Sequence, residues 1–316
     1  MHSHDLYNNM KLSVFVVTYN QEKYIRQCLD SILMQKVDFD YEIVIGEDHG
    51  TDNTRAICEE YAEKYPHIRL LPLKERLGIA ENWKRVLGEC KGKYIALCEG
   101  DDYWIDPMKL QKQVDFLDTH SNVGYLFTRH LRMRPNGEIY DFFKSKGKNI
   151  PETMDLDYLL RNELMPTTQT VCFKSSLLPT PLPQFMKGHL YADLILLVVI
   201  ASKSDVGYID DATAVYREGI GMMTLSKRKC VLKSLFKVYK ELDRFTDGKY
   251  GYMFGNKSRK YLILYNTFRP YRIHYLRAYF YYVVWQISEK GFTVKNIMAI
   301  LKNTFRKFKK IKALLC

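Results

Sequence analysis

The chain has 316 residues, 47% of them hydrophobic, and a formal net charge of +12 at pH 7. That is apolar material for one large or two modest domains and excludes a disordered chain, while the positive balance points to an anionic partner: nucleic acid, nucleotide, phospholipid surface or anionic glycan. Seven cysteines without a CxxC pair exclude zinc-ribbon spacing and suit free thiols in a reducing compartment.

The first residues, MHSHDLYNNMKLSVF, lack the continuous apolar region of a signal peptide, and Met10 is an alternative start to Met1. Residues 11–18 read as a strand and 22–35 as a helix, with Tyr24, Ile25, Cys28, Leu29, Ile32 and Leu33 on one face. A second strand is expected over 41–46, a helix over 52–65 capped by Thr51 or Asp52, and a short third strand over 68–71. Helix 78–89, strand 94–98, helix 106–119 with Pro107 in its first turn, and strand 123–129 follow. This alternation predicts a parallel sheet with helices on both faces. RPNGE at 134–138 reads as a hairpin turn. Beyond it the rhythm is irregular, with strands expected over 170–174 and 206–210 and a buried helix over 190–202. From about residue 225 the pattern is helical and rich in Lys, Tyr and Phe.

Two strands run into acids at their C-terminal ends: GEDHGTDNT at 46–54 and CEGDDYW at 98–104. In a parallel sheet those ends share one edge, where ligands bind. Asp48, Glu99, Asp101 and Asp102 are therefore expected to converge near Thr18 and Asn20. Carboxylates crowded together call for a cation, and Mg²⁺ or Mn²⁺ takes one or two of them plus substrate phosphates. There is no GxGxxG after the first strand and no GxxxxGK[ST], which argues against a dinucleotide dehydrogenase and a P-loop enzyme.

SVFVVTYNQEKYIRQCLDSIL, EIVIGEDHGTDNT, RLGIAENWKRVL, YIALCEGDDYW and GYIDDATAVYRE, in that order over about residues 12–217, resemble the family-2 glycosyltransferases of the GT-A fold. The resemblance implies an α/β, Rossmann-like, mostly parallel sheet with helices on both faces over residues 10–224; the residue pattern itself marks the helical, basic region that follows over 225–316. It implies inverting transfer of a sugar from a nucleotide-sugar, expected to be a UDP-sugar, to an acceptor hydroxyl, assisted by Mn²⁺ or Mg²⁺. Thr18, Tyr19, Asn20 and Glu22 then fall at the nucleotide corner, Asp48 at the base, and Glu99-Gly100-Asp101 at the D-x-D place, with Asp101 and Asp102 on the metal. His49 stands where the family often has glycine, and Glu99 where it usually has Asp. Asp193, an acid directly before an apolar helix, is the expected general base, with Asp210 and Asp211 as runners-up. Arg217 is a candidate for the diphosphate, and Gly219 and Gly221 for the hinge of a closing loop. Trp104 reads either as a wall of the acceptor pocket or as packing. Other classes that would keep the fold are an inactive, membrane-associated nucleotide-sugar-binding protein and a sugar nucleotidyltransferase.

Residues 296–316, NIMAILKNTFRKFKKIKALLC, interleave apolar residues with Lys and Arg and contain no acid. This reads as a basic amphipathic helix suited to an anionic membrane surface. Residues 275–288 are aromatic and apolar and read as core packing. No nucleic-acid motif accompanies the charge. No uncharged stretch approaches the ~20 apolar residues of a spanning helix. A cytoplasmic protein on the inner face of the cell membrane, acting on a lipid-linked saccharide in cell-surface polysaccharide or lipopolysaccharide assembly, is the expected setting.

Overall fold

The computed structural model describes residues 10–142, 149–179, 181, 191–221 and 228–267. The chain divides into two compact units, residues 1–226 and 227–316.

Ten strands form the sheet of the first unit, in the order β3-β2-β1-β4-β9-β6-β10-β5, with β7 beside β6 and β8 beside β10. They are β1 (Leu12–Thr18), β2 (Tyr41–Glu47), β3 (Ile68–Leu70), β4 (Tyr94–Glu99), β5 (Tyr103–Trp104), β6 (Val123–Met133), β7 (Ile139–Asp141), β8 (Thr153–Met154), β9 (Val171–Lys174) and β10 (Asp205–Arg217). The half from β3 to β4 is parallel throughout, as is the β6–β10 pair. Every residue of β1 is buried, as a central strand covered on both faces requires. Its alternate residues serve opposite layers. Val14 and Val16 pack with Ile25, Cys28, Leu29 and Ile32 of α1 (Ile25–Leu33). Phe15 on the other side meets Trp83 of α3 (Ile79–Glu89), with ring centroids 4.6 Å apart. Helices α2 (Thr54–Lys64) and α4 (Lys109–Thr119) complete the α/β alternation.

The second half departs from a purely parallel reading. β9 inserts antiparallel between β4 and β6, which no chain-order rhythm announces. β5 is a two-residue strand paired antiparallel to β10, and it folds the chain back just after the acids. β10 spans 13 residues where the sequence suggested five, because bulges between Ile209 and Ala214 carry it past the polar pair. A bulge absorbs an extra residue without ending the strand. Asp210 and Asp211 thereby reach Arg129 and Lys112, at 2.9 and 2.7 Å. The hairpin at 134–138 forms as read, with Gly137 at φ 85°. α5 (Leu156–Arg161) precedes β9, and α6 (Ala192–Ala201) is buried along nearly its whole length.

In the second unit, helices Arg228–Phe245 and Phe254–Thr267 are joined by a short turn. Leu232, Val238, Tyr239, Leu242, Tyr250, Met253 and Phe254 are buried there. The basic tail 296–316 and the segment 275–288 lie outside the described residues. Among those described, no helix is long and apolar enough to cross a membrane.

Candidate active site

Register alone brings the ends of three strands together. Thr18 pairs with Glu47, and Val17 with Glu99. Just beyond, the Asp48 N–H donates to the Thr18 carbonyl at 3.0 Å and the Gly100 N–H to the Val17 carbonyl at 2.9 Å. The chain turns at Asn20, whose φ of 52° is a left-handed value that Asn tolerates. Its side chain clamps the next loop: Thr51 N–H donates to Oδ1 at 2.7 Å. Glu22 is held by Asn53, whose backbone and side-chain N–H both donate to Oε2 at 3.0 Å. Asp52 accepts from the Thr54 N–H and hydroxyl at 3.0 and 2.6 Å; the N-cap position is Asn53, one residue beyond the expected Asp52, which instead closes the turn that leads into the helix.

Asp48 is nearly fully buried and faces the chain before α3. Its Oδ1 accepts from the Leu77 N–H at 2.8 Å and its Oδ2 from the Gly78 N–H at 3.0 Å. Arg76 reaches the same carboxylate at 3.7 Å and stacks over the Tyr19 ring at 3.9 Å. Tyr19, Arg76 and Asp48 thus form one corner, an aromatic ring and a guanidinium backed by a buried carboxylate. The His49 backbone sits at φ 55°, and Glu47 explains how a non-glycine is kept there. Its wholly buried carboxylate accepts from the His49 and Gly50 N–H groups at 3.1 and 2.6 Å.

The second corner is acidic. Asp101 and Asp102 are buried, and Glu99 and Asp193 are half-buried. Burial, then the charges of Asp101, Asp102 and Asp193, push the Glu99 carboxyl well above the usual carboxylate range. Burial also raises Asp193, which stands in the first turn of α6. Asp102 is raised well above its ordinary value by burial and by Asp101. Burial raises Asp101 even though Arg217 and Gln21 oppose the shift. Tyr216 is pushed up to about 12 by burial, then by Asp102, Asp101 and Glu99. These mutual effects place Asp193 and Tyr216 in the same electrostatic cluster as the acid loop.

Arg217 fastens that loop. Its guanidinium donates to the Asp101 carbonyl and to Gln27 Oε1, and its N–H to Asp102 Oδ1 at 3.0 Å. Tyr103 and Tyr24 flank it at 4.5 and 5.0 Å. Guanidinium carries five N–H donors, so this leaves capacity for a phosphate. Gly100 is obligatory for space: a Cβ there would lie 2.5 Å from Gln21 Oε1 and 2.6 Å from Thr18 Oγ1. Gly219 has φ 87°, and Gly221 lies next to Asp101.

A divalent cation at this corner would take its protein ligands from Asp101 and Asp102. Burial is the first cause of each raised carboxyl, neighbouring carboxylates add to it at Glu99 and Asp102, and Arg217 opposes it at Asp101 and Asp102. Among the described residues, no three His, Cys, Asp or Glu side chains form a ligand set by themselves. Mg²⁺ or Mn²⁺ held by one or two carboxylates completes its shell with water and phosphate oxygens.

Trp104 is packing: it is 1% exposed, donates Nε1–H to the Gln169 carbonyl at 2.9 Å, and carries the buried Lys109 ammonium over its ring at 4.5 Å. Asp210 and Asp211 are engaged in the surface ion pairs described above. Glu47, Gln21, Gln27, Arg76 and Tyr216 were not singled out in sequence. Only Glu47 carried a readable signal, an acid within an otherwise apolar strand end.

The family model for Glycosyl transferase family 2 matches residues 13–178. An uncharacterised protein of Mycobacterium tuberculosis is 44% identical over 117 residues, which is 37% of this chain and 34% of that protein, so the chain spans about a third of the length of this relative. TuaG of Bacillus subtilis, provisionally named a teichuronic acid biosynthesis glycosyltransferase, is 27% identical over 234 residues, 74% of this chain and 88% of that one. Among solved structures, S. aureus TarS 1-349 in complex with UDP-GlcNAc has a TM-score of 0.59 at 19% identity, covering 88% of this chain and 81% of that one. The mannosyltransferase PcManGT from Pyrobaculum calidifontis, in complex with GDP-Man and Mn²⁺, has a TM-score of 0.55 at 18% identity, covering 94% and 87%. At such identities these structures speak for the fold, which is the GT-A fold. With its model matched over more than half of the sequence, the chain belongs to glycosyl transferase family 2.

Proposed function

We propose that this protein is an inverting, metal-assisted glycosyltransferase that moves a sugar from a nucleotide-sugar to an acceptor hydroxyl. The observation that carries this reading is the pairing of two corners on one sheet edge. One is aromatic and charged (Tyr19, Arg76, Asp48); the other is the acid cluster (Glu99, Asp101, Asp102, Asp193), whose Asp101 and Asp102 are tied down by Arg217. A base and ribose suit the first, with Thr18 and Asn20 shaping the turn; a diphosphate with its cation suits the second.

In this reading the acceptor oxygen attacks the anomeric carbon on the face opposite the leaving group. The bond from that carbon to the diphosphate oxygen breaks, its electron pair leaves with the nucleoside diphosphate, and the configuration inverts. The acceptor proton passes to the Asp193 carboxylate. Burial raises the pKa of that group, which makes the ionised form a stronger base. Asp101, with Asp102 in support, would hold Mn²⁺ or Mg²⁺, whose charge offsets that developing on the leaving diphosphate. Arg217 keeps the loop in place and offers its remaining donors to phosphate.

UDP is the expected nucleotide, as in the ligand of TarS, whereas PcManGT carries GDP-Man. A lipid-linked saccharide in cell-surface polysaccharide assembly is the proposed acceptor, supported by the name of TuaG and by the basic pattern of residues 296–316. That pattern also supports placement on the inner face of the cell membrane. The test is nucleotide release from a panel of UDP- and GDP-sugars with Mn²⁺ or Mg²⁺, with NMR of the product's anomeric configuration. Metal-dependent turnover of one donor with inversion is expected. Turnover with retention refutes the mechanism, and no binding of any donor refutes the reading.

A further inference from the structure

Charge is divided unevenly along the chain. Residues 227–316 hold 22 Lys and Arg against 4 Asp and Glu, a balance of +18, which leaves −6 of the chain's +12 for residues 1–226. The helix Arg228–Phe245 arranges part of this charge in a row. Lys229, Lys233, Lys237, Lys240 and Arg244 are all exposed. Their spacing, at the helical turn per residue, confines them to an arc of about 80° and a line about 22 Å long. The far side of the helix carries its buried residues Leu232, Val238, Tyr239 and Leu242. Glu241 flanks the row and pairs with Arg244 at 3.1 Å. Among the described residues, Lys229, Lys233, Lys237 and Lys240 have no ion-pair partner. Like charges three and four residues apart repel and weaken a helix. An anionic surface along the row reverses that cost.

We propose that this row is a docking face for the anionic headgroups of a lipid bilayer. The proposal rests on the reading of the protein as an enzyme that works at a membrane, and it assigns the contact to a helix outside the tail that first suggested it. A single straight row on a convex helix meets a plane along its whole length. A flexible polyanion is better gripped by cations converging on a cleft from several elements. The uneven charge fits as well, since an anionic leaflet attracts residues 227–316 and repels the acidic first unit.

The experiment is co-sedimentation of the full chain with vesicles of phosphatidylglycerol mixed into phosphatidylcholine, and with pure phosphatidylcholine, at low and high salt. The variant carries Lys229→Gln, Lys233→Gln, Lys237→Gln, Lys240→Gln and Arg244→Gln together. Each cation near such a surface contributes roughly a fivefold factor, so the variant should bind anionic vesicles at least ~100-fold more weakly. Helix content by circular dichroism and nucleotide release should be unchanged, and replacing the four lysines by arginine should preserve binding. Equal vesicle binding by variant and wild type overturns the proposal. So does equal binding to neutral vesicles, or wild-type binding to a soluble phosphodiester polymer or nucleic acid in place of vesicles. Stripe-dependent vesicle binding by a chain that turns over no nucleotide-sugar would uphold the docking face while refuting the enzymatic reading.

Discussion

Gly100 shows how little room the acid loop has. Its missing Cβ makes space for Thr18 and Gln21, whose side chains are hydrogen-bonded to each other at 2.7 Å. Gly100→Ala forces both of them to move, at a cost of about 1–3 kcal/mol for overpacking. Thermal unfolding should record that loss, and donor affinity should fall with it, because the displaced groups belong to the site. Asp193 behaves differently. It lies in the first turn of α6, and its carboxylate is proposed to act only on the acceptor's proton. Asp193→Asn should therefore leave donor affinity unchanged and slow transfer by ~10²–10⁴. Steady-state kinetics with separate KM and kcat check this, and transfer at the wild-type rate would remove Asp193 from the mechanism.

At the scale of elements, the edge opposite the site is tied by ion pairs and hydrogen bonds. Asp118, near the end of α4, accepts from Lys11 at 2.5 Å, from Lys93 at 2.7 Å and from the Tyr94 hydroxyl at 2.5 Å, joining α4 to β4 and to the residue before β1. Burial alone would raise its pKa, but these three donors outweigh it and hold the carboxyl well below the usual range. A depressed pKa stabilises the fold above the unfolded value and loses that stabilisation as pH falls through the folded one. Asp118→Asn should thus cost about 1 kcal/mol at neutral pH, modest because the pair is partly exposed. The difference from wild type should shrink as pH drops below about 4. Denaturant titrations of both proteins across that range measure it.

The βα alternation of the first half was legible because each strand is a short apolar run ended by polar residues, as in residues 94–99. The convergence of Thr18, Asp48 and the 99–102 acids followed from strand direction alone. β5, β9 and the length of β10 were not legible. Two residues carry no periodicity, antiparallel insertion leaves no mark in chain order, and Asp210-Asp211 interrupts an apolar pattern that a bulge restores. Glu47 was not singled out, because only its burial and its two N–H donors, which no local motif shows, make it the organiser of the turn. Arg217 was read as a phosphate ligand, and its bonds to the Asp101 carbonyl and Gln27 depend on long-range folding that no local motif encodes.

For the molecule as a whole, the two units carry opposite charge, with the candidate catalytic carboxylates in the acidic one. In the proposed mechanism those carboxylates recruit a cation for the diphosphate. Isothermal titration of a nucleoside diphosphate with Mn²⁺ into wild type and into Asp101→Ala tests this most directly. Binding by wild type that disappears on chelation, and no measurable binding by the variant, is the predicted result. Equal affinity in the two proteins, or binding indifferent to chelation, would contradict it.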